Sequence, residues 1–355
     1  MGDFRTFHAA ARIPALPMQP VTDPADWSPA DLGPVETWSY RLGERDIEEL
    51  GAAVAHVRRN GVPLTDIDSD SFPLRAFARV LHDVYRELID GRGMVMLRGF
   101  PIERFDREAV AIAYLGLGAY VGNRMSQNKE GHILGHVKDL GGDYRDPNTR
   151  GYMTNAEMLF HSDGCDYVGL LCLNGSKRGG ESRVASSVAV YNLMLKRRPD
   201  LVKLLCEDYY RSRASEVGAG QQPWYKQPIF SFTDGYFSAT GAGIAIDKAP
   251  SLPGVPPMSA AQKEAIDVYR ATVEECAVDI EFKPGDIQFL NNFVTLHTRR
   301  EYQDWPEAAR KRHLLRLWLS DAYGRPIPKE QRTGRAGSGV QIAGVPLIAP
   351  LDVAA

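Results

Sequence analysis

Three side chains that could bind one metal ion occur in two distant segments of the sequence. His161 and Asp163 lie two residues apart in LFHSDGCD, and His297 follows in FLNNFVTLHTRR. Residues two apart on a strand point to the same face, so an imidazole and a carboxylate there could bind one ion together. Two histidines and one carboxylate leave three coordination positions open, which suits non-haem iron(II).

The H-x-D pair alone is weak evidence, because a histidine on a strand is more often a core or hydrogen-bonding residue. The order of the motifs around it favours a metal site. The segment GGES, residues 179–182, follows shortly after the pair and leads into a serine-rich strand. The turn KPGD, residues 283–286, precedes the strand that leads to His297.

Two arginines in an apolar segment indicate a site for an anion. The sequence RHLLRLWLS predicts a buried strand, and alternation places Arg312 and Arg316 on one face with Leu314 and Trp318. A buried guanidinium needs an anionic partner. That partner could be one of the protein's own carboxylates. Beside a three-ligand metal site, a dicarboxylate co-substrate is the better interpretation, since the planar fork of arginine matches a carboxylate.

The ordered set HSD, GGES, PGD, a distal histidine and R-x-x-x-R resembles the taurine dioxygenase (TauD/TfdA) family of iron(II)- and 2-oxoglutarate-dependent oxygenases. The match covers roughly residues 90 to 320. The resemblance implies a mainly β fold with flanking helices, built on a double-stranded β-helix (jelly-roll, cupin-like) core. It also implies Fe(II) as the metal, with 2-oxoglutarate and O2 as co-substrates.

The resemblance further implies roles for the residues near the metal. Arg316 would pair with the distal carboxylate of 2-oxoglutarate, and Arg312 would lie near the keto-acid end that chelates the iron. Family members often carry a threonine after the GG segment that hydrogen-bonds 2-oxoglutarate. Ala185 takes that place here, so we expect Ser186 or Ser187 to make the bond.

The carboxylate ligand Asp163 is present, whereas members that halogenate usually lack it. We therefore expect hydroxylation or desaturation of an unactivated C–H bond, with release of succinate and CO2. The substrate would be a small molecule, amino-acid-like or a natural product. Glu157 could face the metal and bind a cationic group, or it could be an ordinary surface residue. Gln127 and Asn128, in a polar loop, could line the substrate pocket or lie on the surface.

Composition narrows the range of partners. With 42 Lys and Arg against 45 Asp and Glu, the chain carries a formal charge of -3, so no basic field exists to bind nucleic acid. Four cysteines without a C-x-x-C pair predict reduced thiols. The absence of a signal peptide or membrane-spanning segment predicts a cytoplasmic protein with a small-molecule substrate and no membrane partner. The sequence does not distinguish a monomer from a homo-oligomer.

The periodicity of the sequence predicts one domain over residues 1–355. Residues 1–37 form an extended arm, residues 38–122 a helical flank, residues 123–320 the jelly-roll core and residues 321–355 a tail. Helical spacing indicates helices over 45–59, 73–89 and 107–120. A further helix, over about 259–276, begins with a capping box at Ser259 and Gln262. Buried strands are predicted at 94–97, 287–291 and 313–320.

Two other function classes stay open from the sequence. A zinc or manganese hydrolase or isomerase could use the same three ligands on a similar β-core, but it has no need for Arg312 and Arg316 in a buried strand. A non-enzymatic binding protein could keep the fold, although loss of a ligand would then be expected. Consumption of 2-oxoglutarate that depends on the metal separates the oxygenase from both.

Overall fold

The structure is a computed structural model that describes residues 12–146, 149–214, 216–334, 339–340 and 342–353. Its helices are α1 (Pro29–Leu32), α2 (Glu44–Arg59), α3 (Ala76–Asp90), α4 (Arg107–Ala119), α5 (Ser187–Arg197), α6 (Pro199–Leu205), α7 (Ile244–Lys248), α8 (Ala260–Glu275) and α9 (Lys329–Gly334). Its strands are β1 (Ser39–Arg41), β2 (Met94–Arg98), β3 (Asn123–Arg124), β4 (Gly135–Val137), β5 (Tyr167–Asn174), β6 (Arg178–Gly179), β7 (Ser182–Ser186), β8 (Tyr209–Ser212), β9 (Trp224–Gln227), β10 (Phe230–Thr233), β11 (Tyr236–Ala239), β12 (Ala277–Ile280), β13 (Ile287–Asn291), β14 (Thr295–Arg299), β15 (Tyr302–Gln303) and β16 (His313–Ser320).

Two sheets face each other and form the predicted jelly-roll core. The major sheet has the order β1-β2-β13-β5-β16-β3, with β4 paired to β16, and the minor sheet has the order β12-β7-β14. Apolar side chains of both sheets share one cluster, in which Leu170 and Trp318 of the major sheet meet Val184 and Ile280 of the minor sheet. The space between the sheets is therefore the interior that can hold a site.

Helices cover the outer faces of both sheets. Helices α2, α3 and α4 pack on the major sheet, where Leu315, Leu317 and Leu319 of β16 join the same core cluster as the helical side chains. Helices α5, α6 and α8 and the hairpin β10–β11 pack on the minor sheet, where Ala185 and Leu296 face outward. Strand β16 is thus buried on both faces, as its apolar sequence requires.

The predicted helices and strands agree with the structure where the periodic pattern is strong. Helices α2, α3, α4 and α8 and strands β2, β13 and β16 all occur within a few residues of the predicted bounds. The capping box of α8 is confirmed, since Gln262 N–H donates to Ser259 Oγ at 3.1 Å and Ser259 N–H donates to Gln262 Oε1 at 3.0 Å.

The serine-rich strand predicted after GGES is present as β7, but it ends at Ser186, where helix α5 begins. Helix α6 follows with Pro199 at its first turn, where a proline is tolerated. The strand expected to carry His161 and Asp163 is absent, because LFHSD is irregular apart from a single bridge between His161 and His297.

The described part of the predicted N-terminal arm packs against the core. Val21, Ala25 and Trp27 are buried, and Asp23 forms an ion pair with Arg325 of the C-terminal segment. Residues 1–11 of the arm, and residues 335–338, 341 and 354–355 of the tail, lie outside the described ranges.

Within the described ranges, no helix is long and apolar enough to cross a bilayer. All four cysteines are free thiols, as predicted.

We predict opposite effects of alanine at two helical glycines. A Cβ at Gly116 of α4 would lie 2.3 Å from the ring of Phe72, so Gly116→Ala should lower the free energy of unfolding by about 1–3 kcal/mol through overpacking. A Cβ at Gly51 of α2 meets nothing within 4 Å. Gly51→Ala should therefore raise the free energy of unfolding by up to about 1 kcal/mol, because alanine has the higher helix propensity. Denaturant unfolding checks both; equal effects of the two substitutions would contradict the packing described here.

Candidate metal centre and adjoining cavities

The side chains of His161, Asp163 and His297 converge in the interior. One ligand atom from each lies within 4.8 Å of the other two. His297 belongs to β14, and His161 pairs with it through two backbone hydrogen bonds of 3.0 Å, which bring the two rings to a centroid distance of 4.4 Å. The prediction that these three residues lie together is confirmed.

Strand alternation does not position Asp163, because the segment after His161 is irregular. A side chain from the turn between β13 and β14 fixes it instead. Asp163 N–H donates to Asn292 Oδ1 at 3.0 Å, and Asn292 Nδ2 donates to the Cys165 carbonyl at 3.1 Å. Asn292 is wholly buried, so the carboxylate is held by a rigid partner. No local pattern predicts this contact, because Asn292 and Asp163 are distant in the chain.

The ionisation of the three groups suits a cation. Burial lowers the pKa of His161 and lowers that of His297 to about 3, so both imidazoles are neutral near pH 7. Burial alone would raise the pKa of Asp163, but the Arg316 guanidinium outweighs it and the pKa falls to about 2. His161 Nδ1 lies 3.0 Å from the Leu159 carbonyl; a proton there leaves Nε2 as the ligand atom.

A buried carboxylate oxygen without a partner shows that this donor set fits a metal ion. Asp163 Oδ2 has no hydrogen-bond partner among the described residues and lies 3.7 Å from His297 Nε2. A charged carboxylate and two neutral imidazoles are the donors that iron(II) accepts in a facial arrangement. The residues therefore fit the metal that the sequence predicted.

Arg316 lies beside the three candidate ligands. Its Nη1 is 3.4 Å from Asp163 Oδ1, and its Nε donates to Gln127 Oε1 at 2.8 Å. Arg312, the residue before β16, lies four residues away, about 13 Å along an extended chain, and lines the same cavity as Arg316. Arg316, and not Arg312, therefore lies next to the candidate metal ligands, which is the reverse of the order expected from the family resemblance.

A narrow cavity between the sheets connects the candidate ligands with two buried guanidiniums. His161, His297 and Arg316 line it at one side, together with Ser182, Arg299 and Arg312. Arg312 Nη2 is 3.4 Å from the Gly180 carbonyl, and Arg299 Nη2 contacts backbone carbonyls of the 151–156 loop. Arg312 Nη1 and Arg299 Nη1 have no hydrogen-bond partner in the described chain.

The charges of Arg299 and Arg312 are not compensated by any carboxylate in the part of the chain that the structure describes. No described carboxylate forms an ion pair with either side chain, although both residues are about 95 % buried. Burial lowers the pKa of both, and the neighbouring Arg312 contributes to lowering the pKa of Arg299 to about 10. Sequence reasoning missed Arg299, although its position two residues after His297 on a strand predicts the same face.

The predicted serines Ser186 and Ser187 lie away from both cavities that reach the candidate ligands. Ser186 caps α5 and its Oγ donates to the Ala25 carbonyl, while Ser187 begins that helix. In the register of β7 with β14, Ser182 lies opposite Arg299, and its side chain lines the narrow cavity. Ser182, the last residue of GGES, is the serine in position to contact a ligand there.

The three residues predicted to bind substrate also lie elsewhere. Gln127 is 2 % exposed and its amide is fully used, since Nε2 donates to the carbonyls of Ile133 and Arg316. It positions Arg316. Asn128 accepts the His132 N–H, and both it and Gln127 line a separate cavity behind Arg316. Glu157 is exposed, because the irregular backbone does not follow strand alternation.

A larger open cleft adjoins the candidate ligands. Its volume is about 1120 Å³, including the space at its mouth, and His161, Asp163 and Arg316 lie in its wall. The opposite wall comes from strands β8, β9 and β11 and helix α7, which contribute Arg211, Tyr225 and Lys248. The sequence did not single out Arg211 or Lys248, because only long-range packing brings these segments over the metal ligands.

A second group of potential ligands consists of two buried histidines and an exposed aspartate. His136 Nδ1 and His313 Nε2 are 2.8 Å apart, and Asp352 lies close to them. Two cations contact Asp352, since Arg107 and Lys138 both pair with it. The positive surroundings disfavour a metal ion there.

The comparisons with known proteins agree with this geometry. The family model described as taurine catabolism dioxygenase TauD, TfdA family matches residues 60–318 of the sequence. The chain is similar to FR-33289 synthase of Streptomyces rubellomurinus (strain ATCC 31215), with 31 % identity over 90 % of this chain and 96 % of that protein. It is also similar to the taurine hydroxylase-like protein SAT17 of Stachybotrys chartarum (strain CBS 109288 / IBT 7711), with 28 % identity over 85 % and 80 % of the two chains.

Solved structures share the fold at low sequence identity. An asparagine oxygenase in complex with Fe(II), 2S,3S-3-hydroxyasparagine and succinate has a TM-score of 0.64 and 18 % identity, covering 79 % of this chain and 93 % of its own. The non-haem iron oxygenase OrfP in complex with Fe and alpha-ketoglutaric acid has a TM-score of 0.58 and 14 % identity, with the same coverage of 79 % and 93 %. These similarities confirm the jelly-roll core.

We predict that acidification destabilises the metal-free protein between pH 7 and 5. A histidine in the unfolded chain binds a proton near pH 6.5, whereas the folded protein keeps His297 neutral down to a pKa of about 3. The unfolded state therefore binds more protons, and the free energy of unfolding falls by up to about 1.4 kcal/mol per pH unit for each such group. Asp163, with a pKa of about 2, keeps its charge throughout this range.

Thermal melting of chelator-treated protein across this pH range checks whether the melting temperature falls as the pH falls. His297→Asn should flatten the slope, whereas His82→Asn, at an exposed position on α3, should leave it unchanged. A slope that His297→Asn leaves intact would contradict the buried, neutral state of this imidazole.

Proposed function

The chain belongs to the TauD/TfdA family of 2-oxoglutarate-dependent non-haem iron dioxygenases, and we propose that it hydroxylates or desaturates an unactivated C–H bond of a small molecule. Succinate and CO2 are the products of the co-substrate. The asparagine oxygenase and FR-33289 synthase, to which the chain is similar, support an amino-acid-like or natural-product substrate. The four free thiols suit the reducing cytoplasm, where we place the reaction.

The observation that carries this proposal is the pair of uncompensated guanidiniums in the narrow cavity. Arg299 and Arg312 are buried, have no described carboxylate partner and share the cavity with two of the candidate metal ligands. Burial of unpaired charge is costly, so a stable fold with this feature is best explained by an anionic ligand. A metal-dependent hydrolase on the same β-core would not need buried arginines that bind an anion beside its metal.

The positions of the two arginines support one orientation for 2-oxoglutarate. We assign the distal carboxylate to Arg312, with Arg299 and Ser182 beside it, and the keto-acid end to the metal next to Arg316. Both arginines line the narrow cavity, so one dicarboxylate in that cavity can have one end near each of them. The bidentate fork of a guanidinium fits a carboxylate better than an ammonium group does.

His161, Asp163 and His297 would hold the iron. When bound, iron(II) with 2-oxoglutarate supplies the oxidative decarboxylation and the activation of O2. The chain itself orients the ligands: Asn292 fixes Asp163, and Gln127 fixes the Arg316 guanidinium that faces Asp163. Tyr152 and Trp318 stack on Arg316 at 5.0 and 4.9 Å and exclude water from this side of the site.

We predict that the protein forms the chelate of iron(II) and 2-oxoglutarate. Anaerobic addition of both to the metal-free protein should produce the weak visible charge-transfer band of that chelate, and His161→Ala should abolish it because one ligand is lost. Absence of the band in well-folded wild type would refute the oxygenase assignment and favour a zinc or manganese enzyme or a binding protein.

We further predict that Arg312→Gln raises the 2-oxoglutarate concentration at which the charge-transfer band reaches half of its maximum by roughly 10- to 100-fold. This is the loss expected when a buried charge-assisted hydrogen bond is removed. Lys311→Gln is the matched control, since it removes the same charge from the adjacent residue, which lies outside the narrow cavity. Equal titrations for wild type and Arg312→Gln would remove Arg312 from the co-substrate site.

A further inference from the structure

We propose that two stretches near the end of the chain, residues 339–340 and 346–353, together position the metal site. This tail segment holds the chain segments that carry Asp163 and Gln127 in a fixed relation to each other, and through them it orients the Arg316 guanidinium toward Asp163. The inference rests on the proposed function, because it concerns the metal-binding residues assigned there. It gives a role to residues that the sequence predicted only as a tail.

Two adjacent amides of the tail segment connect the neighbour of a candidate metal ligand with the neighbour of Gln127. Gly339 N–H donates to the Gly164 carbonyl at 2.8 Å, and Val340 N–H donates to the Ser126 carbonyl at 2.9 Å. Gly164 directly follows the carboxylate ligand, and Ser126 directly precedes Gln127. These two hydrogen bonds therefore fix both segments relative to one short piece of backbone.

Close packing holds the same two residues in place. The Val340 side chain is 4 % exposed and belongs to the apolar cluster between the sheets that contains Met125 and Trp318. Gly339 has a φ of +61°, and a Cβ there would lie 2.6 Å from the Ser126 carbonyl oxygen. Only glycine combines this conformation with so close an approach of two backbones.

Farther along, the tail segment pairs with residues 131–133, which support the Gln127 side chain. Ile133 N–H donates to the Ile348 carbonyl, and Ile348 N–H donates to the Gly131 carbonyl, both at 2.9 Å. The Ile133 carbonyl in turn accepts a hydrogen bond of 3.0 Å from Gln127 Nε2. Ile133 thus joins the tail segment to the side chain that orients the guanidinium beside the metal ligands.

A third contact fixes strand β4 against the arginine strand. His136 Nε2 lies 2.8 Å from the Pro350 carbonyl, which can only accept, so this nitrogen donates. In the pairing of β4 with β16, Gly135 lies opposite Arg316. A Cβ at Gly135 would overlap Gln127 Oε1, so β4 and the Gln127 side chain fit together closely.

The contacts of the tail segment converge on the metal site. They lead to the neighbour of Asp163, to both ends of the segment that carries Gln127, and to the strand opposite Arg316. Outer contacts that orient metal ligands typically change metal affinity by about 10- to 100-fold when they are lost. Displacement of the tail segment is therefore expected to weaken metal binding even in a protein that stays folded.

Anaerobic calorimetric titration of iron(II) into the metal-free full chain tests the proposal with glycine variants. A Cβ in Gly131→Ala would collide with the Pro346 carbonyl oxygen, and one in Gly339→Ala would collide with the Ser126 carbonyl oxygen. Both backbones must move apart, so each variant should bind iron(II) about tenfold or more weakly than wild type.

Gly61→Ala is the matched control. Gly61 has a φ of +62°, close to the +61° of Gly339, and a Cβ there meets no described atom within 4 Å. The substitution should lower the melting temperature of the metal-free protein through backbone strain but leave the iron(II) affinity unchanged. The control thus separates a loss of stability from a loss of metal affinity.

The proposal is refuted if Gly131→Ala and Gly339→Ala melt at lower temperatures yet bind iron(II) as tightly as wild type, because the tail segment would then be only structural. Val340→Ala keeps both backbone hydrogen bonds and removes two buried methyl groups, which provides a second test if the glycine variants do not fold. It should also weaken iron(II) binding, and wild-type affinity would equally refute the proposal. A wild type that binds no iron(II) would instead refute the proposed function, and the inference with it.

Discussion

The cost of burying positive charge on strand β16 governs the rest of the site. Arg316 lies on the interior face of β16, whose other face is apolar, and Arg312 directly precedes that strand. Both side chains are buried and line the same cavity between the sheets. Arg316 is compensated by Asp163 and oriented by Gln127. Arg312 forms no ion pair with a described carboxylate, and we propose that this difference distinguishes the co-substrate end of the site from the metal end.

The positions of the buried, uncompensated charges distinguish two compartments in the interior. The narrow cavity has its uncompensated charge at Arg299 and Arg312, on the far side of Arg316, while the open cleft has its uncompensated charge at Arg211, close to His161. His161 and Arg316 line both compartments, so the candidate metal ligand His161 lies where the two meet. An enzyme that must bind co-substrate and substrate around one ion requires this separation.

The sequence predicted features that depend on local patterns. Strand β16 was predicted because its residues alternate and its sequence is apolar on both faces. The three candidate ligands were predicted because two histidines and a carboxylate suit one metal ion. The failures involve contacts between distant segments. The serine near Arg299 is Ser182, because the pairing of β7 with β14 sets the register, and no local pattern reveals it. Asp163 is positioned by Asn292, 129 residues away, and Arg211 is held by the carbonyl of Gly241, whose loop packs on His161.

The most direct test of this account is a crystal structure of the anaerobic complex with iron(II) and 2-oxoglutarate. The account predicts the metal between His161, Asp163 and His297, with the distal carboxylate of 2-oxoglutarate against Arg312. The cleft beside Arg211 should stay free of 2-oxoglutarate. A distal carboxylate found against Arg211, or a metal bound outside the three ligands, would contradict the account.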